Sequence, residues 1–173
     1  EVRYRDTILD ELRLVIIRSH SGVSDGTLAA LREAQADGCM VLYIVNVVGS
    51  TIANASDEVL YTWAGPEIAV ASTKAYTTQL ALIYMIILYF AQNLETLPDN
   101  VISESIKDIE NLPLLAAEAL KDKETIQYFA SMHFNANDIY FIGRNVDYAA
   151  SLQASLKLKD ISYIHSEAYT GGE

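Results

Sequence analysis

Basic residues are scarce: 12 lysines and arginines stand against 23 aspartates and glutamates, for a net charge of −11. No cluster of them is dense enough to neutralise a run of phosphates, so neither nucleic acid nor an anionic membrane surface is an expected partner. Cysteine is nearly absent. Cys39 alone cannot close an internal disulfide, and no basic segment followed by an apolar one opens the chain, so a reducing, cytoplasmic setting is expected. With only eight glycines and three prolines in 173 residues, and with half the residues (51%) apolar, disordered and low-complexity classes are excluded. Long hydrophobic runs are also missing. The uncharged stretch Leu80–Ala91 closes at Gln92 and Asn93 after twelve residues, whereas a membrane span needs about 20, so it reads as a buried core or interface helix. The three histidines, His20, His133 and His165, have no metal-ligand spacing, and neither a metal nor a cofactor is expected.

What is present is an alternation of elements. Leu12–Ser19 (LRLVIIRS) reads as a short β-branched strand, followed by HSGVSDGT and by a helix in which Leu28, Leu31 and Ala34 share a face and Gly38 is the stop. Cys39–Val45 is a nearly continuous apolar strand, predicted to be buried on both faces, and Val59–Trp63 is the next strand. This is the rhythm of a parallel α/β sheet. A long helix then starts at Ser72 or Thr73, and helical patterns run through Val101–Leu120 and Glu124–His133. Asp138–Gly143 (DIYFIG) reads as a new strand and Tyr148–Ile164 as a further helix, together opening a second α/β unit. The abrupt ends, EVRYR and TGGE, read as those of a fragment.

Three clusters carry candidate chemistry. Ser19, His20, Ser21, Gly22 and Ser24, with Thr27 one turn on, lie between a parallel strand and a helix. Free amide N–H groups and hydroxyl donors there suit a phosphate, and neutral donors suit an acidic protein. The plainer alternative, favoured by spacing alone, is that Ser21 or Ser24 caps the helix. The Gly-x4-Gly-Lys-Ser/Thr loop is absent. Val70, Ser72, Thr73 and Lys74 at the start of the long helix form a second cluster, by default an N-cap, in which Lys74 lacks an obvious local carboxylate partner. The third comprises Lys157, Lys159, Asp160, His165, Glu167 and Glu173. Lys157 and Asp160, three apart on a helix, make a surface ion pair by default; at the edge of a phosphate-binding cleft they are a candidate proton shuttle next to a carbonyl.

AGPEIAVASTKAYTTQL (64–80), SGVSDGTLAALREA with NVVGSTIANASD, and LKLKDISYIHSEAYTGGE (156–173) closely resemble the isomerase (sugar isomerase, SIS) region of the glutamine-fructose-6-phosphate aminotransferases, over essentially the whole chain. The resemblance is weakest between about residues 95 and 135. It implies a three-layer αβα fold of flavodoxin-like SIS type with a parallel sheet, truncated at both ends. Residues 1–95 would be a first SIS subdomain lacking its opening Cys-Gly-Thr-Ser strand-loop, 96–135 connecting helices, and 136–173 the start of a second subdomain. Whether DIYFIG takes the missing strand's place beside Arg13–Arg18 is a hypothesis at this point. Homodimers, a glutaminase domain elsewhere in the full chain, and fructose 6-phosphate and glucosamine 6-phosphate as ligands are implied as well.

By position, Ser19, His20, Ser21 and Ser24 match the family's phosphate loop, usually Ser-Gln-Ser-Gly-Glu-Thr. Here His20, Val23 and Ser24 replace Gln, Glu and Thr. Val70 and Ser72 match sugar-hydroxyl contacts. Asp160 stands where the family has the Glu that moves the proton between C1 and C2, and Lys157 matches the lysine one turn earlier. An Asp is one methylene short, and a misplacement of about 1 Å can cost on the order of 10²-fold in rate. The family's ring-opening histidine and C-terminal lysine lie outside the sequence, so the isolated chain is expected to be inactive. The alternatives are a SIS module that senses a phosphosugar without catalysis, or a sugar-phosphate deglycase of the same superfamily.

Overall fold

The computed structural model describes residues 13–22 and 24–172; Leu12, Val23 and Glu173, which figure in the expectations above, lie outside them. The elements run β1 (Leu14–Arg18), α1 (Asp25–Ala36), β2 (Met40–Val45), β3 (Glu58–Tyr61), α2 (Thr73–Asn93), α3 (Asp99–Ala119), α4 (Lys123–His133), β4 (Asp138–Gly143), α5 (Val146–Ser162) and β5 (His165–Thr170). The chain divides into two compact units, Glu1–Ile68 with Ser72–Phe90, and Ala69–Ala71 with Ala91–Glu173.

In the first unit β1, β2 and β3 form a parallel sheet in that order, with Leu14 opposite Met40 and Leu42 opposite Glu58. Strand side chains alternate between faces. Ile17, Val41, Tyr43 and Val45 therefore fall on one face, where they pack with Leu31 and Ala34 of α1 and with Ile52 and Ala53 as the buried core. The other face is less covered. Met40 is 60% exposed there, and a cavity of about 680 Å³ lies between Leu14, Leu42 and Leu60 of the sheet and Leu82, Met85 and Phe90 of α2. The expectation that β2 is buried on both faces therefore holds only toward its C-terminal end, where Ile44 is enclosed.

α2 buries Ala75, Gln79, Ile86 and Ala91 but leaves Tyr84, Met85, Ile87 and Tyr89 exposed, so within this chain it is not a buried core helix, one of the two readings its sequence allows. By length and composition alone it passes for a membrane-crossing helix.

In the second unit β4 pairs with β5 in parallel, Asp138 opposite His165 through Gly143 opposite Thr170, and α5 connects and covers them. Within this unit a strand–helix–strand crossover supplies β4 with its own parallel partner, and among the described residues the strands form a three-stranded sheet β1–β2–β3 and a two-stranded sheet β4–β5.

Candidate functional site

β1, β2 and β3 point the same way, so their carboxyl ends bring three loops to one edge of the first sheet, the edge at which α/β folds hold ligands. The loop after β1, Ser19–Ser24, is tied down by its carbonyls. His20 O accepts from Asn46 N–H (3.4 Å) and Gly22 O from Ile52 N–H (3.3 Å), while Ser19 N–H continues the ladder to Ile44 O (3.0 Å). With carbonyls 20 and 22 occupied, the loop offers donors outward. Gly22 adopts φ +71, and a Cβ there would run into Ser50 Oγ and lie 3.1 Å from the Tyr43 hydroxyl, so the loop is pressed onto β2 and the segment that follows it.

Plain capping does not account for the hydroxyls of this loop. Ser24 is the N-cap of α1 by position, but its side chain accepts no capping hydrogen bond; Ser24 Oγ pairs instead with Thr27 Oγ1 at 2.5 Å. The N–H groups of Asp25 and Gly26 in the first turn have no partner within the helix. Ser19 Oγ accepts from Gly22 N–H at 3.2 Å, and Ser21 is exposed. The His20 ring turns its Nδ1 inward, where it has no partner among the described residues.

Ser72, immediately before α2, belongs to the same unit and stands at φ +53, a left-handed conformation that a non-glycine residue adopts at a cost. Neither Ser72 nor Thr73 holds the first turn of α2. The carboxylate of Glu67 does, accepting from Lys74 N–H (2.9 Å) and Ala75 N–H (3.2 Å). Desolvation acts to raise the Glu67 pKa, but those two N–H groups, with the charges of Lys74 and His20, outweigh it and hold the carboxyl below its ordinary range. Lys74 thus has a carboxylate beside it after all, seven positions upstream, and its ammonium donates to Pro66 O (2.8 Å).

Three further residues at this edge were not read from the sequence. Asn46 bridges the loops, donating to Gly65 O (2.7 Å) while its Oδ1 accepts from Thr62 Oγ1 and Ala64 N–H. Its signal was its place at the end of the apolar strand, ahead of GSTIA. Ser50 and Tyr43, both buried, lie beneath Gly22.

The remaining candidates belong to the second unit. Val70 is 80% exposed in the short segment Ala69–Ala71. Lys157 and Asp160 share one face of α5 with their charges 3.8 Å apart, each side chain partly exposed. Lys159 lies on the same helix, whereas His165 and Glu167 are on β5. There His165 Nδ1 meets Asp138 Oδ1 at 2.7 Å, its Nε2 lies 3.7 Å from Glu167 Oε1, and Glu167 accepts from the Tyr169 hydroxyl.

The sequence pattern described as the SIS domain matches residues 1–89. The chain is 53% identical over its whole length to glutamine-fructose-6-phosphate aminotransferases (isomerizing) of Clostridium acetobutylicum and of Caldanaerobacter subterraneus subsp. tengcongensis, and it spans 28% of the length of each. Among solved structures, it is similar to the C-terminal domain of glucosamine-fructose-6-phosphate aminotransferase from Francisella tularensis, with a TM-score of 0.95 and 36% identity over 99% of this chain and 49% of that one.

Proposed function

This chain belongs to the SIS-domain family, and from that premise we propose that it is the phosphosugar-binding region of an enzyme converting fructose 6-phosphate and glutamine-derived ammonia to glucosamine 6-phosphate. The observation that carries the reading is the loop after β1. Its carbonyls at 20 and 22 are engaged, its N-cap hydroxyl makes no cap, and it leaves hydroxyl and amide donors at the carboxyl edge of a parallel sheet. Ser19, Ser21 and Ser24 anchor the phosphate there with His20 beside them, and Ser72 and Val70 orient the sugar. Asp160, with Lys157 nearby, moves the proton between C1 and C2, a transfer that a carboxylate can carry. The glutaminase that releases ammonia lies elsewhere in such a protein, which acts as a homodimer.

A second reading, phosphosugar binding without catalysis, draws on the surface pair that Asp160 makes with Lys157. One experiment separates the two. Calorimetric titration with glucosamine 6-phosphate, with glucosamine as control, should show binding that depends on the phosphate. Ser21→Ala should weaken it by about 10- to 100-fold, the range of one hydrogen bond to a charged group. Binding without that dependence, or unchanged in Ser21→Ala, would refute the loop assignment. Asp160→Asn should leave the titration unaltered and abolish turnover by the full-length protein; unaltered turnover would remove Asp160 from the proton transfer, and binding without any turnover by the wild type would favour the binding-only reading.

A further inference from the structure

Tyr43 is the largest fully buried side chain of the first unit, and the phosphate-loop reading gives it no task. It stands in the middle of β2 with its ring in the core, among the residues that pack against α1. Its hydroxyl comes up beneath the loop, 3.1 Å from where a Cβ on Gly22 would lie. Burial raises the phenol pKa and the neighbouring Ser19 hydroxyl works against that rise, yet no hydrogen bond closes on the Tyr43 oxygen among the described residues. A buried hydroxyl left without a partner is destabilising, and a phenylalanine would fill the same space without that penalty. Packing alone therefore does not explain the oxygen.

Ser19 explains it. A serine hydroxyl has two acceptor lone pairs and a single proton to give. One lone pair already takes the Gly22 N–H at 3.2 Å. If the Tyr43 hydroxyl fills the other, the Ser19 proton has one remaining direction, outward to the edge where the loop presents its donors. A chain of hydroxyls in a buried setting also polarises each bond along it, which strengthens the last donor.

Resting on the phosphate-loop reading, we propose that Tyr43 is a positioning residue: on ligand binding its hydroxyl donates to Ser19 Oγ and so aims the Ser19 proton at a phosphate oxygen. The orphan hydroxyl is then satisfied in the bound state and unsatisfied in the free one, so stability forgone in the free protein is recovered when the ligand binds.

The test is a double-mutant cycle on the full-length protein. Wild type, Tyr43→Phe, Ser19→Ala and the double variant are titrated with glucosamine 6-phosphate, glucosamine and inorganic phosphate, and their thermal midpoints are recorded. Tyr43→Phe is expected to weaken glucosamine 6-phosphate by about 3- to 10-fold and inorganic phosphate in parallel. Glucosamine binding should not change, and the thermal midpoint should be equal or higher. In the Ser19→Ala background the second substitution should have no further effect, since its only route to the ligand is gone. Wild-type affinity in Tyr43→Phe would overturn the proposal. So would a loss that persists in full without Ser19, or one that tracks a lowered midpoint, which would mark Tyr43 as a packing residue. If wild type itself does not prefer the phosphorylated sugar, the phosphate-loop reading falls and Tyr43's role with it. If wild type prefers it and Tyr43→Phe does so equally, only the role of Tyr43 falls.

Discussion

Glu67 links the charge of one side chain to the start of α2. Its folded pKa lies below the ordinary 4.5 because ionisation is favoured by the Lys74 and Ala75 N–H groups, against a desolvation that alone would raise it. A carboxyl with a depressed folded pKa adds stability that is fully present above the unfolded pKa and is lost as pH falls through the folded one. Thermal unfolding from pH 7 downward should therefore show the midpoint declining below about pH 4.5. In Glu67→Gln that part of the slope should vanish, because the amide keeps an acceptor oxygen and loses the titration. An unchanged acid slope in the variant would show that Glu67 does not hold the helix. At this scale the sequence was legible where residue type and neighbours suffice: the hydroxyls at 19, 21 and 24 are a loop motif on sight. Glu67 and Asn46 were not, because each acts across loop closures of seven to nineteen residues, which periodicity cannot report.

At the scale of elements, β4 and α5 meet without clearance at Gly143. A Cβ there would collide with the backbone carbonyl of Asp147 and lie 2.5 Å from Tyr148 N, atoms that cannot swing aside as a side-chain tip would. Gly143→Ala should thus destabilise the second unit by about 1–3 kcal/mol, the usual range for overpacking. Chemical denaturation followed by circular dichroism would register this as a lower midpoint; an unshifted one would mean that the strand and helix separate freely. DIYFIG itself was readable to the residue, since a short continuous run of β-branched and aromatic residues bounded by Asp and Gly is a strong strand signal. β5 was missed for the opposite reason: HSEAYT is mostly polar and exposed, and its one fully enclosed residue, Ser166, is held by the buried Ser155 hydroxyl at 2.9 Å. The helix before it was read two residues too long because Ile161 and Ile164 keep helical spacing. Tyr163, at φ +60, ends it in a left-handed turn that residue type does not announce.

For the whole molecule, charge and site chemistry pull in different directions. A chain of net charge −11 repels an approaching phosphate monoester of about −1.5 to −2, while the loop assigned to receive it holds hydroxyls and amides rather than lysines. Salt weakens a phosphate site built on cations because it screens the attraction that does the anchoring. Here the short-range hydrogen bonds are little affected by salt, whereas the long-range repulsion is screened once the Debye length falls to about 10 Å near 0.1 M. Affinity for fructose 6-phosphate should consequently rise by about two- to threefold on going from about 20 mM to about 200 mM sodium chloride, chiefly through faster association. Titration and stopped-flow mixing across that range would measure both quantities. A steep fall in affinity instead would move the anchoring from the serine loop to cations such as Lys74, whose ammonium now rests on the Pro66 carbonyl.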